Sequence, residues 1–400
     1  MIDPIFLKKR EIEAKFSNYL LKGQRRSFRI KKAANTSKNE ILDSLHLFLN
    51  KPSPINLANL LKNMFNSGVW VSKSSIELLF SLLRLVENAG FSENDQVTID
   101  ILNQINDRDE LVLSSYSDAH LFRVLLSERR HRHMNPGYKS ISKMPTLNSK
   151  IRLVLISGVF NEIFSTAAFE RGAEYLKNNY DLSFSTINVT GTKSSRFNAE
   201  LINKQLQDIT EPDEKIWLIG YSKGGVDALH FLRSYFKENT NIIGLSTIAT
   251  PIMGTNHPNN KIIKLLTSFS RFKLYQFLDQ GKDLFIQGLQ NSLRSDVRHS
   301  WFFRNHDKLP KDIFYSALGF QAKWNESHVW MMLTKLLFQS KHPNDGVVDV
   351  QFAQFPSFFN SYNLGITDGH HLVGTRSSEY PQEALLEALV IFLNLKGHLT

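Results

Sequence analysis

The chain contains no cysteine. No disulfide can staple it, so the fold does not depend on an oxidising compartment. No apolar run approaches the roughly 18 residues needed to span a bilayer. A soluble or peripheral protein is therefore expected. The first residues carry Lys8-Lys9-Arg10 followed by "EIEAKF", not a long apolar stretch. They do not read as a cleaved secretory signal. The expected location is cytoplasmic, or outside the cell by a route that needs no such signal. H-E-x-x-H and clustered metal-ligand sets are both missing, so no metal or other cofactor is expected. The one His-x-His pair, in "RRHRH" (Arg129 to His133), reads as a solvated basic helix end. No internal repeat is visible.

What is present is ordinary for a globular chain: 42% apolar and 22% charged residues over a length of 400. Charge is the uneven property. Met1 to Lys32 holds ten Lys/Arg against three Asp/Glu, a surplus of seven within a total of +10. Such an arm reads as an electrostatic contact for an anionic partner. An anionic membrane surface is the expected one. Ile5, Ile12, Phe16, Tyr19 and Leu20 fall near one face of a helix, which suits either a surface-bound amphipathic helix or a helix packed on its own protein with a solvated basic face. A nucleic-acid partner is not expected, because no recognisable module accompanies the charge.

Periodicity divides the rest. From Ile41 to about Glu128, "ILDSLHLFL", "INLANLLKNMF", "SSIELLFSLLRLV" and "AHLFRVLL" place apolar residues three and four apart. This predicts helices, with Ser53, Ser74 and Ser92 as candidate caps. "MNPGYKSISKMPTLNSK" (Met134 to Lys150) reads as a connection. Beyond it, "IRLVLISGV", "LSFSTINV", "KIWLIGY", "IIGLSTIAT" and "DIFYSALGF" read as strands, several of them separated by helical patterns. Alternation of this kind predicts a mostly parallel sheet with helices on both faces. The expected order is a basic arm (1–34), a separate all-α domain (35–134), a linker (135–149) and an α/β domain (150–400).

Gly220-Tyr221-Ser222-Lys223-Gly224 fits G-x-S-x-G between a strand and a helix. That spacing suits a nucleophile, because a Ser on so tight a turn needs small neighbours two residues away on each side. A Ser nucleophile needs a base, and the base needs an orienting acid. Downstream, Asp345 sits in an Asn-Asp-Gly turn, and His370 and His371 sit in "ITDGHHLVGT". Asp349 is a second candidate acid.

In order and approximate spacing, "LISGVF", "GYSKGG", "TIATPIMGT", "NDGVV" and "GHHLVG" resemble the α/β-hydrolase lipases. Family versions read "HG" after a strand, then "GHSMGG", "TPHRGS", "NDGVV" and "DHL". From about Lys150 onward the chain is similar to bacterial lipases and to GPI inositol-deacylases. The resemblance implies an α/β-hydrolase fold and a lipid or other acyl-ester substrate. It implies Ser222 as nucleophile, Asp345 as acid and His371 as base, with His370 the competitor. The backbone N–H groups of Val159 and Lys223 would form the oxyanion hole. Ser157 departs from the family's His, and "TPIMG" from "TPHRG". A helical insertion at 256–311 is expected to be a lid or a fixed cap. "GYSKGGVDAL" and the basic front end also resemble SidB-type effectors translocated into host cells. Glu379, Glu383 and Glu387 read either as part of a translocation signal or as a solvated helix face. The rival to a lipase-like serine hydrolase is a catalytically silent member of the fold, serving as a membrane or protein binding module.

Overall fold

The structure, a computed structural model, describes residues 43–44, 46–47, 50, 56, 59, 91–135, 137–147, 150–158, 167–191, 193–211, 213–239, 241–255, 292–322, 342–376, 378 and 380–399. The basic arm (1–34), Ser53, Ser74 and residues 256–291 of the expected lid lie outside them. The chain divides into two compact units, Met1–Glu87 and Asn88–Thr400. The second unit carries the sheet.

Six strands are hydrogen-bonded in the order β2-β1-β3-β4-β5-β6: β1 (Ile151–Ile156), β2 (Ser183–Ile187), β3 (Lys215–Tyr221), β4 (Ile242–Ile248), β5 (Phe314–Gln321) and β6 (Tyr362–Asp368). Every pairing is parallel. The central strands are apolar at nearly every position because both of their faces are covered. Ile151, Leu153, Leu155, Trp217, Ile219 and Tyr221 join one apolar core, and Val154, Ile156, Ile216 and Leu218 the other. Trp217 carries a polar atom into the first core and satisfies it by donating to Ser246 Oγ at 3.0 Å.

The helices are α1 (Gln96–Asp107), α2 (Glu110–Leu113), α3 (Asp118–Met134), α4 (Glu170–Tyr180), α5 (Ser195–Ile209), α6 (Lys223–Tyr235), α7 (Ser295–Asn305) and α8 (Gln382–Leu395). Apolar residues of α3, α4 and α8 join the first core, and those of α5, α6 and α7 the second. α1 is capped by Asp95, whose carboxylate accepts from Thr98 N–H. Ser92 lies one turn earlier and takes the Asp95 N–H on its carbonyl. Among the described residues no helix is long and apolar enough to cross a membrane.

Four findings differ from the sequence expectations. β6 has no counterpart among the predicted strands, because "YNLGITD" is mostly half-buried and holds a glycine at φ 81°. Helices α1 to α3, expected in a separate domain, lie in the same unit as the sheet. There α3 packs on α8 and β6. "RRHRH" is not a solvated helix end. Arg129 and Arg130 are buried, as is Glu387 on α8. Glu387 accepts from Tyr180 Oη at 2.6 Å and Arg132 Nη1 at 2.9 Å, and meets His133 Nε2 at 3.0 Å and Arg129 Nη1 at 3.6 Å. Burial opposes its charge, but the His133 hydrogen bond and the Arg129 guanidinium hold the carboxyl below its ordinary range. Glu383 pairs with Arg171 at 2.8 Å, and Glu379 lies outside the described residues. The acidic residues of α8 therefore bind the unit together and do not form a solvated face.

Removing one member of a buried ion cluster strands its partners and costs about 3–5 kcal/mol. Glu387→Ala is expected to lose that much stability in urea unfolding. A loss below about 1 kcal/mol would contradict the assigned role.

Candidate active site

β3 runs straight into α6, and Ser222 alone separates them. Its φ is 53° and its ψ −131°, a conformation that L-residues rarely adopt. Two glycines permit it. A Cβ at Gly220 would lie 2.4 Å from Gly225 Cα, and one at Gly224 would lie 2.2 Å from the Ile156 carbonyl oxygen. Both contacts are with backbone, which cannot swing away. Two hydrogen bonds fix the turn: Ser222 N–H to Ile248 O at 3.0 Å, and Gly225 N–H to Ser222 O at 3.2 Å. The site stands where the chain changes direction across the sheet, with β2 on one side of β1 and β3 on the other. Crevices form at such switch points.

Ser222 Oγ lies 2.8 Å from His371 Nε2. His371 Nδ1 lies 2.7 Å from Asp345 Oδ2. The other carboxylate oxygen, Oδ1, accepts from Val347 N–H and Val348 N–H, each at 2.8 Å. Asp345 is thus held by its own turn, where Gly346 has φ 102°, and it presents one oxygen to the ring. Its carbonyl also accepts the His371 N–H at 2.8 Å. Asp345 and His371 are buried, and Ser222 is 6% exposed.

The structure therefore brings Ser222, His371 and Asp345 together. His370 does not take that place. It is buried, and its Nδ1 accepts from Leu372 N–H at 3.1 Å. Asp349 is in the same loop as Asp345, with a backbone bridge to Asn344. Lys223 is the first residue of α6, so its N–H is among those a helix cannot satisfy internally. Val159 lies outside the described residues. Ser157, at the family's His position, accepts from Ala168 N–H at 2.7 Å and so fastens the chain beyond β1.

The "TP..G" element has a structural reason. Thr250 Oγ1 donates to Gly220 O at 3.2 Å, and its side chain fills the space a Cβ on Gly225 would need. Thr255 Oγ1 donates to Val347 O at 3.2 Å, joining this loop to the acid turn.

Sequence reasoning missed two groups. Tyr221 donates through its hydroxyl to the His371 carbonyl, and its ring stacks on the imidazole at 5.7 Å. Burial and the Asp345 charge push its phenol well above the ordinary value, so it remains a donor. The second group lies along α6. Lys223 Nζ is 2.8 and 2.9 Å from the two carboxylate oxygens of Asp227, and both residues are fully buried. Arg298, also buried, donates to Ile252 O at 3.2 Å and contacts His230 Nε2 at 3.0 Å. An opposite-charge pair four residues apart on an otherwise apolar helix was the available signal for the first contact. Arg298, 68 residues from His230 in sequence, gave none.

No family model matches the sequence, and no curated protein does. Solved structures do match. A metagenomic carboxyl esterase superposes with a TM-score of 0.53 at 22% identity, over 65% of this chain and 80% of that one. The chain has the α/β-hydrolase fold. A lipase of Bacillus licheniformis in its mature form gives a TM-score of 0.43 at 18% identity, over 63% of this chain and 93% of that one. Lipase 1 from Pelosinus fermentans gives 0.42 at 15% identity, over 60% and 98%.

His230 ties stability to pH. Burial, together with the Arg298 charge, pushes its imidazole from 6.5 down to about 2. Between those values the unfolded chain binds a proton that the folded chain refuses, so stability falls as pH drops below about 6.5. The slope approaches about 1.4 kcal/mol per pH unit. Urea unfolding between pH 7 and pH 5 should show wild type losing stability that His230→Gln does not lose. Equal losses would refute the linkage.

Proposed function

We propose that the protein is a serine carboxylic-ester hydrolase acting on lipid acyl esters. The alignment of Ser222 Oγ, His371 and Asp345, with the serine on a strained strand-to-helix turn, carries this reading. His371 Nε2 takes the Ser222 proton as Oγ bonds to the ester carbonyl carbon. The carbonyl oxygen becomes an oxyanion, stabilised by the Lys223 N–H and, as the family resemblance implies, the Val159 N–H. The ester C–O bond then breaks, and His371 gives its proton to the leaving alcohol. Water, deprotonated by the same imidazole, releases the acid and returns the proton to Ser222. Asp345 keeps Nδ1 protonated and stabilises the imidazolium without taking the proton.

The lipid preference rests on the resemblance of "TIATPIMGT" to the lipases' "TPHRGS". A silent binding module would have no need of a serine, imidazole and carboxylate in line. In the same proposal, the basic segment 1–32 recruits the enzyme to anionic lipid, at about 1 kcal/mol per Lys or Arg at the surface.

Two measurements test these points. Hydrolysis of p-nitrophenyl esters from acetyl to palmitoyl should rise with chain length and fall by at least about a thousandfold in Ser222→Ala. Equal rates in the two proteins would overturn the nucleophile. Removal of residues 1–32 should weaken cosedimentation with anionic vesicles and leave hydrolysis of a soluble ester intact. Unchanged sedimentation would remove the membrane contact from the proposal.

A further inference from the structure

Lys223 carries two features that rarely meet in one residue. Its N–H opens α6 beside the nucleophile, and its ammonium is buried. The side chain runs to Asp227, one helical turn on. Asp227 is also held by Asn198 Nδ2 at 2.7 Å. Asn198 is in turn locked to the backbone of Thr190, accepting from its N–H at 3.3 Å and donating to its carbonyl at 2.9 Å. The ammonium is thus fixed to α5 and to the loop after β2, outside its own helix.

Stability does not explain this pair. A buried ion pair gains little over apolar residues of the same size, because desolvation offsets the attraction. The family pattern quoted above has Met at this position. Geometry offers a different reason. The direction of the Lys223 N–H is set by ψ of Ser222, which is strained, and strain of that kind persists only where surrounding contacts over-determine it. The backbone bonds of the turn hold Ser222 on its N-terminal side and Gly225 beyond it. The peptide between Ser222 and Lys223 is held at its carbonyl by the Gly225 N–H and, on its nitrogen side, by the anchored side chain of the lysine. There is little room for error, since a Cβ on Gly158 would lie 2.9 Å from the Lys223 nitrogen.

We propose that Lys223 is a positioning residue: its buried ion pair with Asp227 and Asn198 fixes the Ser222–Lys223 peptide so that the Lys223 N–H meets the oxyanion. This rests on the reading of Ser222, His371 and Asp345 as the reacting groups. The ion pair acts on the transition state through that N–H and makes no contact with substrate. Its loss therefore lowers kcat and leaves KM in place.

The test uses the full chain, a soluble p-nitrophenyl ester and a trifluoromethyl ketone that Ser222 converts to a charged tetrahedral adduct. Lys223→Met alone leaves Asp227 buried without its cation and is at risk of misfolding. The double variant Lys223→Met with Asp227→Asn removes both charges and is expected to fold with a melting temperature near that of wild type. Its kcat, per active site titrated by a fluorophosphonate, should fall on the order of tenfold or more, with KM within about twofold. Affinity for the ketone should weaken by the same factor as kcat/KM. A folded double variant with wild-type kcat and ketone affinity would overturn the proposal, as would a loss confined to KM. Ser222→Ala is run alongside. If it hydrolyses the ester as fast as wild type, the reading of the site itself fails, whatever Lys223 does.

Discussion

Gly220 and Gly225 approach backbone to backbone, and the rest of the site is built outward from that contact. A side chain at Gly220 would push the end of β3 away from the start of α6. Without one, the chain reverses within a single residue, and Ser222 takes its unusual φ and ψ. The same closeness sets Gly224 on the end of β1 and leaves space at Gly225 that the Thr250 side chain fills. Three strand ends are thereby fixed to one turn. The loop after β4 extends the arrangement, since Met253 N–H bonds the Phe352 carbonyl at 3.1 Å and Thr255 reaches Val347. The acid turn is thus located relative to the serine through this loop, apart from the hydrogen bonds among Ser222, His371 and Asp345 themselves.

What could be read in the sequence follows from range. The strand "KIWLIGY" and the helix after it are local patterns, and both lie where the residues placed them. Ser222 and Asp345 stood out as candidates because each sits in a short local turn signal, whereas His371 was set apart from its neighbour His370 only by the family resemblance. β6 was not, because an edge strand is half-buried and shows no clean alternation. The role of Glu387 was not legible either. Its partner His133 is 254 residues away, and nothing near either residue marks them as a pair. Helix α3 looked like part of an N-terminal domain for a related reason. Its apolar face has the same period whether it covers another helix or a sheet.

Buried charge is handled alike on the two faces of the sheet. On one face Glu387 gathers Arg129, Arg132 and His133, and on the other Asp227 faces Lys223 with Arg298 nearby. Glu387 contacts several cationic groups and Asp227 contacts one, and a neutral donor completes each shell: Tyr180 in the first, Asn198 in the second. Burial pushes the Arg298 guanidinium down to about 9, with Asp227 opposing the shift, so it is still cationic at neutral pH. His230 beside it stays uncharged. The second cluster therefore carries more positive than negative charge along α6.

The proposed reaction creates negative charge on the carbonyl oxygen and positive charge on His371. Each would form beside a group already oriented to meet it. Asp345 cannot turn away from the imidazole, because two backbone N–H groups hold its other oxygen. His371 cannot tilt freely, because Tyr221 stacks on the ring and holds its carbonyl. The positive end of α6 points at the serine, with the excess cation of the second cluster behind it. Water would offer a similar total of hydrogen bonds but would have to reorient as the charges form. A frame fixed during folding has no such step, and that difference is where electrostatic catalysis arises. On this argument the strain at Ser222 and the buried charges along α6 belong to one design: stability given up in the resting fold so that little has to move when the ester carbonyl is attacked.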